Sequence, residues 1–212
     1  MEFKLFDLGT MDYKQAWDFQ GKVFGQIKNS YFDSALILCQ HYPVITLGRQ
    51  AKQENIKVPP SELQKMGIDM YKIERGGDVT YHGPGQLTAY PVLDLGSFKK
   101  DIHLFLRQLE ESTIKFLSVF GVKGLRRKGL TGVWIGKEKI ASIGIAIKNW
   151  ITFHGVSINL KKNDLDNFGL IRPCGMDIKM TSLETIMGEN IEIGYAKEIF
   201  INEFKDEFLI AD

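Results

Sequence analysis

Cys174 stands between Pro173 and Gly175, in a stretch without an apolar strand pattern. A free thiol titrates near pH ~8.5, so little thiolate exists at neutral pH unless a cation lies close. A thiolate attacks a thioester readily, because the bond formed is of the same type as the bond broken. A buried structural cysteine fits the same position, and composition leaves both readings open. Lys139 opens a strand-like run, where a lysine is ordinarily exposed. Beside a cysteine it could hold the thiolate and later take a proton from an attacking amine. The third feature is the run Arg75 to Tyr90, in which Gly76, Gly77, Gly83, Gly85 and Pro84 crowd together around Arg75 and His82. Glycine lets a ligand lie against bare main chain. The run also fits a long solvated connection. No Walker lysine follows the glycines and the spacing is not a dinucleotide fingerprint, so a nucleotide-phosphate motif is not supported. The four histidines and two cysteines show no metal-ligand spacing.

These residues need elements to hold them. Residues 2 to 8 alternate as a strand, and Thr10 is a candidate cap for a helix carrying Tyr13, Ala16, Trp17, Val23, Phe24 and Ile27. Ser34 to Cys39 and Val44 to Leu47 read as strands with His41-Tyr42-Pro43 turning between them, and Cys39 as a small buried hydrophobe. Pro59-Pro60 opens a short helix at Ser61. Strand-like residues then flank the glycine run, Met70 to Ile73 before it and Leu87 to Leu95 after it. Pro91 inside the second predicts an edge strand or a bulge. Asp101 to Phe120 is an amphipathic helix burying Ile102, Phe105, Leu106, Leu109, Phe116, Leu117 and Phe120, with His103 on its surface. Lys123, Arg126, Arg127 and Lys128 form a basic turn that could meet an acidic partner. Three strands follow, Val133 to Ile135, Lys139 to Ile147 and Trp150 to Leu160, the first two a hairpin around Gly136-Lys137-Glu138. Residues 161 to 181 are irregular, and two helices close the chain. Strands in runs, with helices between and after them, make the class α+β with a mixed, mainly antiparallel sheet flanked by helices.

Composition narrows the setting. Lys plus Arg (27) nearly balances Asp plus Glu (26), so overall charge points to no nucleic-acid partner. The length suits a single catalytic-size domain over 1-212. Two distant cysteines suit a reducing compartment, the N-terminus lacks a signal-peptide layout, and no apolar run approaches spanning length. A cytoplasmic protein off the membrane is expected.

Arg75-Gly76-Gly77, Thr80-Tyr81-His82, Gly85-Gln86 and Tyr90 together resemble the signature of the lipoyl(octanoyl) transferase family. His41, Gly48 and Arg49 resemble a second family segment, although Tyr42 falls between His41 and Pro43 here. The resemblance implies the catalytic-domain architecture of biotin and lipoate ligases. It also implies an acyltransferase (octanoyl-acyl carrier protein to a lipoyl-domain lysine), the first step of endogenous protein lipoylation. The chemistry implied is ping-pong through an acyl-Cys174 thioester, with Lys139 as activating partner. Acyl contacts are implied at Arg75, Gly76, Gly77, Asp78, Val79, Thr80, Tyr81 and His82, at Ser142, Ile143 and Gly144, and at Gly155, Val156 and Ser157. The Gly175 N–H is a candidate oxyanion donor, and His82 a candidate for proton work. No cofactor or metal is implied, because the thioester already carries the activation. Implied partners are acyl carrier protein, lipoyl domains of 2-oxoacid dehydrogenase E2 subunits and the glycine cleavage H protein, with the enzyme a monomer. An ATP-dependent lipoate or biotin ligase on the same fold is the alternative, and a non-catalytic acyl-binding scaffold the third reading.

Overall fold

Alternate residues of the strand Ser34–His41 (β2) face two different helical layers, and the architecture follows from that. Ala35, Ile37 and Cys39 pack with Ala16, Val23 and Ile27 of the helix Tyr13–Lys28 (α1). Leu36 and Leu38 face the opposite way, into a core shared with the helices Ile102–Val119 (α3) and Ile193–Glu207 (α5). A sheet covered on both faces needs near-continuous apolar runs, and β2 reads so from Ala35 to Cys39.

The computed structural model describes residues 3–163 and 165–208, and of Cys174 the backbone alone. Seven strands form the main sheet. They are Phe3–Met11 (β1), β2, Gln86–Leu93 (β6), Ile151–Asn159 (β10), Glu138–Lys148 (β9), Leu130–Ile135 (β8) and Leu125–Arg127 (β7), in that spatial order. Only β1 and β2 run parallel; the other five pairings are antiparallel. A second sheet of three places Val44–Leu47 (β3) between Asp69–Lys72 (β4), parallel, and Val79–His82 (β5), antiparallel. The helices Pro60–Lys65 (α2) and Leu183–Met187 (α4) join them, with short 3-10 helices at Gln53–Asn55, Leu165–Leu170 and Pro173–Gly175, the last two within the stretch expected to be irregular. The mixed, mainly antiparallel sheet between helices is the α+β class expected.

Several local expectations are corrected. Thr10 lies within β1, and Asp12 takes the cap position of α1 without a side-chain hydrogen bond. The expected turn after β2 is present, and at Tyr42-Pro43 it carries the chain from one sheet to the other. Pro91 sits in the central strand β6, not at an edge. Its missing N–H is accommodated because the β6–β10 ladder stops at Ala89 and resumes only where Asp94 meets Ile151. In the gap the Thr152 hydroxyl donates to the Pro91 carbonyl (2.8 Å) and accepts from the Leu93 N–H (3.0 Å). Ile102 is exposed at the first turn of α3, where the Asp101 carboxylate caps the Leu104 N–H at 2.9 Å. The basic turn contains the short strand β7.

Candidate active site

The glycine run contains a strand of its own. Residues 79–82 form β5 against β3, and the turn at Gly83–Gly85 hands the chain to β6 in the main sheet. The two sheets therefore meet at this segment, and a cavity of about 350 Å³ opens between them. Arg75 to Thr80, His82, Ser142 to Gly144, Gly155 to Ser157, Lys139 and Pro173 all line it. Segments separated by up to a hundred residues thus converge on one hollow. Tyr81 is the exception. Strand alternation turns it to the far side of β5, where it packs against Phe168 and its hydroxyl accepts from Asn167 at 2.9 Å. Tyr81 supports the wall rather than lining the cavity.

Hydrogen bonds make the loop rigid. The Arg75 guanidinium donates from Nη2 to the Thr46 carbonyl (2.6 Å) and hydroxyl (3.0 Å), and from Nη1 to the Gly76 carbonyl (3.0 Å). Arg75 is thus bound to β3, with its stem against Gly144, where a Cβ would come within 2.9 Å of Cδ. The Gly48, Arg49 and Gln50 N–H groups donate to carbonyls of Asp78, Arg75 and Gly77, and the Gly76 N–H to Ile145.

Lys139 occupies the start of β9 and is buried. Its ammonium lies 5.4 Å from the centre of the Trp134 ring, an attraction for its charged form. Its stem lies against Gly132, whose φ of +124° only glycine adopts readily. The Gly132 N–H in turn donates to Glu110 Oε1 at 3.1 Å, and Arg107 and Arg126 bind the other oxygen of that buried carboxylate.

Hydrogen bonds flank the turn Pro173–Gly175. A few residues after it, the Lys139 N–H donates to the Lys179 carbonyl (2.9 Å), and the Thr181 N–H to the Lys139 carbonyl (3.0 Å). Just before it, the Arg172 N–H donates to the Asn55 carbonyl (2.8 Å), while Asn55 Nδ2 donates to the Asp78 carboxylate at 2.5 Å. The segment that contains the turn is thereby anchored at Arg172 through Asn55 to the glycine loop, and at Lys179 and Thr181 to Lys139. The Cys174 side chain lies outside the described residues, so the structure provides no thiol position. The Gly175 N–H donates to the Arg172 carbonyl at 3.0 Å, so the turn consumes this expected oxyanion donor.

The deep wall was not expected. Tyr13, Thr88, Tyr90 and His154 also line the cavity, all buried. Gln86 Nε2 donates to the Tyr81 carbonyl, which orients Oε1 to accept from the Ser157 hydroxyl (2.5 Å) and from His82 Nδ1 (3.3 Å). His82 is held neutral by burial first, then by the neighbouring His41 ring and Arg75. Burial likewise lowers His41 to about 4, leaving its Nε2 to accept from the Tyr90 hydroxyl at 2.6 Å while Nδ1 donates to the Met11 carbonyl. Asn55 and Glu110 were missed because single polar residues in ordinary spacing announce nothing. Among the described residues no cluster of acids, histidines and cysteines could hold a metal, and no helix is long and apolar enough to cross a membrane.

The fold is a mixed sheet between helices, and its cavity brings together a buried lysine, a glycine-rich loop and the cysteine-bearing turn Pro173–Gly175. The chain belongs to the lipoyl protein ligase A/B catalytic domain family, whose profile matches residues 12–205. It is 44% identical over 203 residues to the octanoyltransferase of Thermoanaerobacter sp. (strain X514), covering 95% of this chain and 88% of that protein. In fold it is similar to a bi-partite lipoate protein ligase from Thermoplasma acidophilum (TM-score 0.77, 17% identity, 100% of this chain and 85% of that one). It is also similar to the biotin protein ligase of Aquifex aeolicus solved with biotin and ATP (TM-score 0.58, 13% identity, 97% and 70%). At such identities these two structures speak for the fold alone.

Proposed function

We propose that this protein is an octanoyltransferase, moving an octanoyl group from acyl carrier protein to a lysine of a lipoyl domain through an acyl-Cys174 thioester. The observation that carries the reading is the convergence of Lys139, the glycine loop and Pro173 on one cavity in a chain of this family. In the first half-reaction the Cys174 thiolate attacks the thioester carbonyl, forming the Cys174 S–C bond and breaking the carrier's S–C bond. The departing carrier thiolate takes a proton from the Lys139 ammonium. In the second, the neutral Lys139 amine accepts the proton lost by the attacking lysine. The N–C bond forms, and Cys174 returns as thiolate beside a recharged Lys139. The cycle balances without ATP.

Exposed Gly129 and Thr131 and half-buried Leu130 line the outer cavity next to basic Arg127 and Lys128, which suits an acidic carrier as donor. Acceptors would be the lipoyl domains of 2-oxoacid dehydrogenase E2 subunits and of the glycine cleavage H protein. The setting would be cytoplasmic and the enzyme a single 1-212 catalytic unit working as a monomer.

The test is intact-mass measurement after mixing the protein with octanoyl-acyl carrier protein in the absence of ATP. Wild type is expected to gain one octanoyl group and Cys174→Ala none. Product formed only when ATP and free acid are supplied would select the ligase reading instead.

A further inference from the structure

The geometry points to Tyr13 and His154 as the floor of the acyl cavity, the pair of rings that sets the length of chain the enzyme accepts. The inference rests on the octanoyl-transfer reading and adds specificity residues to it. The cavity has two distinct ends. At one, Gly129 and Thr131 are exposed and Lys139 stands at the start of β9. At the other, Tyr13 is 3% and His154 2% exposed. The register of β9 with β10 pairs Ile145 with His154, six residues beyond Lys139. At about 3.3 Å per residue that is roughly 20 Å of strand. The thioester, the acyl chain and the two rings must fit within this length.

Both rings are fixed. His154 adopts φ +59° in the middle of a strand, a left-handed conformation that is strained for a non-glycine residue. Its neighbours hold it there. The His154 N–H donates to Gln20 Oε1 of α1 at 2.8 Å, Nδ1 lies 3.5 Å from the Tyr13 hydroxyl, and Nε2 lies 3.6 Å from Glu74 Oε2. Glu74 is itself oriented by the Trp17 N–H at 3.3 Å. Tyr13 is stacked between His82 and Tyr71, with centroids 5.9 Å away in each case, and tilts against His41 at 5.1 Å. Beside His154, Gly155 lies so close to β6 that a Cβ would collide with the Ala89 carbonyl, which packs β10 tightly against its neighbouring strand. A longer chain would have to displace close-packed rings, and overpacking is costly where neighbours cannot shift. One methylene too many is worth roughly 10- to 200-fold in discrimination at such a wall.

The experiment is single-turnover acylation of the protein by hexanoyl-, octanoyl-, decanoyl- and dodecanoyl-acyl carrier protein, read by intact mass. Wild type, Tyr13→Leu and His154→Asn are compared, asparagine being chosen because it tolerates the left-handed backbone. The wild-type rate is expected to fall at least tenfold from octanoyl to dodecanoyl. Tyr13→Leu and His154→Asn are expected to raise the decanoyl-to-octanoyl ratio by about tenfold. A wild-type protein that takes dodecanoyl as readily as octanoyl overturns the inference whatever the variants do. So does an unchanged ratio in a variant that keeps the wild-type thermal transition. Failure of every chain to acylate wild type sinks the transferase reading instead, so the two failures are distinct.

Discussion

Lys139 is buried over Trp134 and against Gly132, in the wall that also includes Pro173. On the proposed pairing of Lys139 with Cys174, Lys139→Ala should slow acylation, because a thiol without a neighbouring cation titrates at roughly 8.5. Raising the pH should recover much of that half-reaction, since hydroxide then supplies the thiolate. Transfer to the acceptor lysine should recover less, because no positioned base remains. Single-turnover acylation and deacylation rates between about pH 6.5 and 9.5 separate the two roles. An acylation rate matching wild type throughout would reduce Lys139 to a structural residue. At this scale residue types pointed to the glycine run, and the family resemblance supplied Ser142 to Gly144 and Gly155 to Ser157; with Arg75 to Thr80 and His82 they all line the cavity. Tyr13 and His154 were not legible. Tyr13 reads as one more apolar position on α1, and no spacing announces a histidine in left-handed backbone.

Long elements were legible, and so was the four-residue β3, whose run is largely apolar. The helices α1, α3 and α5 and the strands β9 and β10 follow apolar periods over nine residues or more. The four-residue β5 was hidden among glycines, and the three-residue β7 among basic residues, because so few positions define no period. Pro91 misled for a physical reason: a side-chain hydroxyl, Thr152, substitutes for the ladder in a central strand. β8 has a comparable local device at Gly132, where the register with β9 shifts between Val133 and Trp134. A Cβ on Gly132 would come within 2.6 Å of Lys139 Cε and 2.5 Å of the Ala141 carbonyl. Gly132→Ala should cost about 1–3 kcal/mol of stability and slow deacylation more than tenfold by displacing the lysine. Urea unfolding and single-turnover deacylation measure the two effects. Wild-type rates in a destabilised variant would show that the strand, not the lysine, absorbs the strain.

For the whole molecule, three of the four histidines lie beneath the junction of the two sheets: His41, His82 and His154 are buried, and His103 is exposed on α3. Burial is the largest cause lowering all three, His41 to about 4 and His82 well below the ordinary value, while Glu74 partly offsets the effect at His154. The unfolded chain takes up these protons as pH falls through about 6.5, and the fold resists until lower pH. Stability is thus fully present above about pH 6.5 and declines as pH falls toward 4. Each histidine contributes at most about 1.4 kcal/mol per pH unit within its own window. Where their windows overlap the three losses add. The carboxylates of Asp7 and Glu74, held below their ordinary values in the fold, act in the same direction only at still lower pH. The expected outcome is a free energy of urea unfolding that drops steadily from pH 6.5 to 4.5. His103→Gln should keep the wild-type slope, and His41→Asn should flatten it while lowering stability at pH 7.5 through loss of the Tyr90 contact. A wild-type profile that stays level between pH 7.5 and 5 would mean that the histidines beneath the cavity protonate within the intact fold.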